Sequence, residues 1–125
     1  MQRILLVDHD QSFRIVYSES LTRQNYTVDT ASGSQEALDK LRKHEYRALI
    51  TEILLPGKNG LRLIQSIRQD HTLIKLPVII LTSLEPADIG IPSSLSDALG
   101  IHAYIVKHQS HPDQLMQALS ALPAR

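Results

Sequence analysis

Four short apolar runs in this chain each end in a polar residue with chemistry to offer. Ile4-Leu-Leu-Val7 runs into Asp8-His9-Asp10, and Ala48-Leu-Ile-Thr51 runs into Glu52. Pro77-Val-Ile-Ile-Leu81 ends at Thr82-Ser83, and Ala103-Tyr-Ile-Val106 ends at Lys107. Brought together, these ends set carboxylates and an imidazole against a hydroxyl and an ammonium. Glu52 and Lys107 are then the natural partners for a charge-assisted contact. His9 with Asp8 and Glu52 suggests a transition-metal alternative, because imidazole suits zinc, copper or nickel. Singly, each residue has a plain explanation: an acid after a strand caps a helix, a threonine serves a turn, a terminal lysine sits in solvent. Four of them at the same kind of place make coincidence a poor account.

The elements that must position them follow from hydrophobic periodicity. The apolar run at Ile4–Val7 reads as a strand covered on both faces. A helix follows, with Phe13, Val16, Tyr17 and Leu21 at helical spacing and Asp10 or Ser12 as its cap. Tyr26–Ala31 alternates, as a half-exposed edge strand does. Ser34 or Ser32 is expected to cap a second helix carrying Ala37, Leu38 and Leu41. The third strand runs from Ala48 to about Glu52 and breaks at Pro56-Gly57. Leu61, Ile64 and Ile67 mark a third helix. After the fourth strand, Pro86, Gly90 and Pro92 keep any helix short; Ser93 or Ser94 would cap one reaching Leu99, with Gly100 as its stop. A fifth strand ends at Lys107. Ser110-His-Pro-Asp113 then starts a last helix whose inner face is Leu115, Met116, Leu119 and Leu122.

Strict alternation of this kind is (βα)5, a doubly wound parallel five-stranded sheet with helices on both faces. The edge character of the second strand gives the order 2-1-3-4-5. Its crevice opens at the carboxyl ends of the first and third strands, where Asp8, His9 and Glu52 stand.

Composition narrows the function classes. A chain of 125 residues with 42% apolar content fits one globular domain, 1–125. Lys+Arg and Asp+Glu are 13 each, so no net charge draws it to nucleic acid or an anionic membrane. There is no Cys for a disulfide or thiolate site. The opening apolar run is too short for a signal peptide or a span, so a cytoplasmic protein is expected.

These residues resemble the receiver domain of two-component response regulators, over nearly the whole chain. Leu5-Leu-Val-Asp-His-Asp10 is similar to the family's acidic opening. Glu52 through Pro56-Gly57 to Gly60 matches the acceptor segment, in which an Asp is followed four residues later by Pro. Thr82-Ser83 matches its hydroxyl position, Gly100 to Lys107 the run ending in its Lys, and Tyr104 its switch aromatic. The resemblance implies a flavodoxin-like fold and an acceptor Asp that takes a phosphoryl group from a histidine kinase. It also implies Mg²⁺ held by the acceptor, a second acid and a backbone carbonyl, here that of Leu54.

The departures set the functional expectation. Glu52 stands at the acceptor position, its carboxylate one methylene further out, and phosphoryl transfer depends on positioning. His9 stands at the acidic Mg²⁺ ligand, although Mg²⁺ prefers hard oxygen donors. His108 stands where the family usually has Pro. The expected protein is therefore a pseudo-receiver, not an enzyme, with no metal held and Mg²⁺ binding weak or absent. Its degenerate site comprises Asp8, His9, Glu52, Leu54, Thr82 and Lys107. It acts through protein contacts with a sensor kinase, an output domain, another signalling protein or a second copy of itself. The alternative is a working Mg²⁺-dependent phosphoacceptor using Asp8 or Asp10. A flavodoxin-like cofactor binder is disfavoured, because the acidic turn after the first strand would repel a phosphate.

Overall fold

Continuous apolar runs become the sheet. The computed structural model describes residues 2–85, 97–107 and 112–123. In it β1 (Arg3–Val7), β3 (Ala48–Thr51) and β4 (Val78–Thr82) are buried almost throughout. The alternating segment becomes β2 (Thr27–Ala31), half-buried at the edge, and β5 (Ile101–Val106) forms the other edge. All neighbours pair in parallel, in the order β2-β1-β3-β4-β5. The predicted topology is the observed one.

Side-chain alternation along each strand feeds a core on either face. Leu5, Leu49, Val78 and Ile80 point to the side covered by α2 (Ser34–Lys43) and α3 (Gly60–Arg68). Ile4, Leu6, Ile50, Ile79 and Leu81 point to the side covered by α1 (Gln11–Arg23) and α4 (Pro112–Ser120). The buried strand interior thus fixes which residues emerge at the carboxyl edge.

Several local expectations need correction. Val16 does not face the core: it is 55% exposed, beside Ile15 at 50%. The inward positions are Phe13, Tyr17 and Leu21, a stricter four-residue spacing that leaves Val16 well off that line. Asp10 caps α1 as expected, accepting from the Phe13 amide at 3.1 Å. Neither Ser34 nor Ser32 caps α2; Gly33 holds the N-cap position without a side-chain bond. Ser34 instead donates to the Lys58 carbonyl, while the Ser32 amide and hydroxyl both donate to Glu36. β5 begins earlier than Ala103, at Ile101, with a register shift between Val78 and Ile79. That shift leaves the exposed His102 beside the Val78 amide. Gly100 does stop the preceding turn, at φ +66°. The expected Ser93/Ser94 cap, the Pro/Gly-bearing segment from 86, His108 and Ser110 lie outside the described residues.

Candidate functional site

Strand register brings the polar ends level. Val7 pairs with Thr51, Thr51 with Ile80, and Thr82 with Val106. Asp8, Glu52, Thr82 and Lys107 therefore emerge side by side from the carboxyl edge. The Glu52 amide extends the ladder to the Val7 carbonyl at 2.9 Å, and the Asp8 amide bonds the Ala31 carbonyl at 3.0 Å.

Lys107 sits between the two carboxylates. Its Nζ lies 2.6 Å from Asp8 Oδ2 and 2.9 Å from Glu52 Oε2. The Phe13 ring covers a third side, 3.8 Å from Nζ to the ring centroid. Asp8 is 3% exposed and Glu52 4% exposed, so these are desolvated contacts. Burial alone would lower the Lys107 pKa. The hydrogen bonds and charges of Asp8 and Glu52 outweigh it and hold the ammonium above its ordinary value.

The other Glu52 oxygen is equally committed. Oε1 accepts from the Thr82 hydroxyl, from the Ile53 amide at 2.8 Å and from the Leu54 amide at 3.1 Å. Thr82 Oγ also accepts from the Leu84 amide at 3.3 Å, and the Tyr104 hydroxyl donates to the Leu84 carbonyl at 2.9 Å. Lys107, Glu52, Thr82, Leu84 and Tyr104 thus form one connected path. Tyr104 is partly buried and packs against the α2/α3-side core.

Local sequence explains why the pocket has this shape. At Gly57, φ is +74°, the left-handed turn that glycine adopts without strain. Asn59 caps α3 through the Arg62 amide at 3.0 Å. Gly60 is required by proximity: a Cβ there would lie 2.2 Å from the Glu52 carbonyl oxygen. Its amide donates to the Ile53 carbonyl at 2.9 Å. α3 is therefore docked directly on the strand end that carries Glu52.

The structure thus brings Asp8, Glu52, Thr82, Lys107 and the Leu54 amide together and links them to Tyr104. His9 is not brought in; it is exposed at the surface. Sequence reading missed Arg14, whose Nη1 bonds the Asp8 and His9 carbonyls, and the second role of Phe13. Neither carries a signal beyond an ordinary helix position.

The donors do not fit a divalent ion in this arrangement. Asp8 Oδ1 takes the Asp10 amide at 2.9 Å, and its Oδ2 takes Lys107. Both carboxylates share one ammonium, which would oppose a cation placed between them, and the exposed His9 imidazole offers no hard oxygen donor. Among the described residues no group of three His, Asp or Glu side chains converges on a metal position.

A doubly wound parallel sheet with acids, a hydroxyl and a lysine at its carboxyl edge defines a class of switch domain. The chain belongs to the response regulator receiver domain family, whose model matches residues 4–120. It is 37% identical over 83 residues to the response regulator ArlR of Staphylococcus aureus, a match covering 66% of this chain and 36% of that protein. The response regulator TrrA of Thermotoga maritima, solved in complex with Mg²⁺-BeF, superposes with a TM-score of 0.82. It is 31% identical, with 96% of this chain and 97% of that one covered. The chemotaxis protein CheY4 of Vibrio cholerae gives 0.85 at 26% identity, over 98% and 99% of the two chains. This is a signalling module of two-component systems. Among the described residues, no helix is long and apolar enough to cross a membrane.

Proposed function

We propose that this domain is a receiver that signals through protein contacts without being phosphorylated, and that Asp8, His9, Glu52, Leu54, Thr82 and Lys107 are its degenerate acceptor site. One observation carries the reading: the Glu52 carboxylate already holds Lys107, the Thr82 hydroxyl and the amides of Ile53 and Leu54. Those are donors of the kind a phosphoryl group on a shorter acceptor would recruit. Glu52 supplies one negative charge where a phosphoryl supplies nearly two, so the imitation is partial. It nevertheless engages, without any reaction, the Thr82 hydroxyl, which accepts from the Leu84 amide, whose residue in turn holds Tyr104. Tyr104 serves as the switch aromatic, held inward by its bond to Leu84.

The neighbouring acids are poorly placed to substitute. Asp8 is bound to Lys107 and the Asp10 amide, and Asp10 caps α1. The domain works as a signalling module, not an enzyme, and its partner is a protein: a sensor kinase, an output domain or another signalling protein. Neither nucleic acid nor membrane is contacted by this domain itself.

Incubation with acetyl phosphate and Mg²⁺, followed by intact-mass measurement, tests this. No mass gain is expected. A stoichiometric, hydroxylamine-sensitive gain mapped to Asp8, Asp10 or Glu52 would overturn the reading.

A further inference from the structure

Three residues, Asp8, His9 and Asp10, bridge β1 and α1. The Asp8 carboxylate faces Lys107, yet His9 and Asp10 are exposed and offer the bridge little packing. Within it the Asp10 amide donates to Asp8 Oδ1 at 2.9 Å and Asp10 caps α1, and a further restraint comes from one turn into the helix. Arg14 Nη1 lies 2.6 Å from the Asp8 carbonyl and 3.0 Å from the His9 carbonyl. The Arg14 amide is itself fixed by the Asp10 carbonyl at 3.0 Å. The preceding residue, Phe13, meets Lys107 and stacks on Tyr17 with ring centroids 4.4 Å apart. The start of α1 therefore reaches the pocket twice, once at the loop and once at the ammonium.

We propose that Arg14 is a positioning residue for this pocket: by clamping the Asp8 and His9 carbonyls, it holds the bridge in the form in which the Asp8 carboxylate meets Lys107. The inference rests on the functional reading above, in which Asp8, Lys107 and Glu52 are the working part. A long cationic side chain suits the task, because one nitrogen, Nη1, meets both carbonyls.

A double-mutant cycle in the full chain tests it, with Arg14→Gln and Asp8→Asn made singly and together and unfolded in urea. If Arg14 acts through Asp8, the pair destabilises less than the product of the single effects. The expected discrepancy is about fivefold to tenfold in the unfolding constant. A second readout is the ¹⁵N signal of the Lys107 ammonium, seen when the group is sheltered from proton exchange with water. It should be present in the wild type, in Arg14→Lys and in the surface control Arg62→Gln, and lost in Arg14→Gln. Strict additivity, or an unchanged ammonium signal in folded Arg14→Gln, would overturn the proposal. Should Arg14→Gln fail to fold, Arg14→Met, which keeps the stem and loses the donors, takes its place in the cycle on the same criterion. Phosphorylation of the wild type would sink the functional reading and leave the coupling intact; an additive cycle would do the reverse.

Discussion

Lys107 and Glu52 do different work, and substitution should separate them. Glu52→Gln keeps the shape and removes the charge, leaving Lys107 paired with Asp8. The cost is that of weakening charge-assisted hydrogen bonds, about 2 kcal/mol. Lys107→Met leaves two buried carboxylates facing each other without a counter-ion, and should cost about 4 kcal/mol. Urea denaturation of the two variants at neutral pH gives the order; equal costs would contradict the bridging geometry. The pH dependence has a definite sign. The folded Lys107 pKa is raised, so its contribution is fully present below the unfolded value, about 10.4, and is lost as pH rises through the higher folded value. On the alkaline side, the stability gap between the wild type and Lys107→Met should therefore close only in strong alkali.

At the scale of elements, the site depends on how closely α3 approaches β3. Gly60→Ala would force a Cβ to 2.2 Å from the Glu52 carbonyl, so helix or strand end must move. A loss of about 3 kcal/mol, measured by urea denaturation, is expected. Arg68 provides a second tie. Its guanidinium donates to the carbonyls of Leu99 and Leu76, both at 2.7 Å, Ile74 at 2.9 Å and Gly100 at 3.1 Å. These bonds fasten the loop after α3 to the entrance of β5. At the β1–β2 edge, burial would raise the Asp29 pKa, but hydrogen bonds from Tyr46 at 2.7 Å and Arg3 at 2.8 Å hold it low. Its contribution is present above the unfolded value, about 3.9, and is lost as pH falls through the lower folded value. Asp29→Asn should thus be less stable than the wild type at pH 7, with the two converging in acid on thermal melts.

The strands were legible because burial on both faces writes itself as unbroken apolar runs, and β2 because an edge writes itself as alternation. The convergence of Asp8, Glu52, Thr82 and Lys107 followed from topology, since parallel strands must end together. What was not legible depended on side-chain reach. Val16 lies off the Phe13–Tyr17–Leu21 line of α1 and stays exposed, although its spacing from Phe13 fits a helix face equally well. Ser34 left the cap role because the Lys58 carbonyl lay within reach across a gap of 24 residues. Arg14 looked like any helix-surface arginine until the bridge folded back over it.

For the whole molecule, the proposed function is that of a receiver whose switch is set by its own side chain, Glu52. A side chain shifts the switch only by the difference in its contact energy between the two states, and a difference of about 1 kcal/mol is about fivefold in population. The domain is then tuned rather than locked. Restoring oxygen chemistry should restore metal binding: Glu52→Asp with His9→Asp is expected to gain a saturable Mg²⁺-dependent rise in melting temperature, while the wild type stays flat to millimolar Mg²⁺. A flat double variant would mean that Lys107 and Arg14 close the pocket regardless of those two residues. The central claim is that Glu52 already fills the phosphoryl position, and the NMR spectrum of the wild type with Mg²⁺ and beryllofluoride tests it most directly. The amide signals of Glu52, Thr82, Leu84, Tyr104 and Lys107 are expected to stay where they are. A second, slowly exchanging set of signals at those residues would show that the pocket still admits a phosphoryl mimic, and would contradict it.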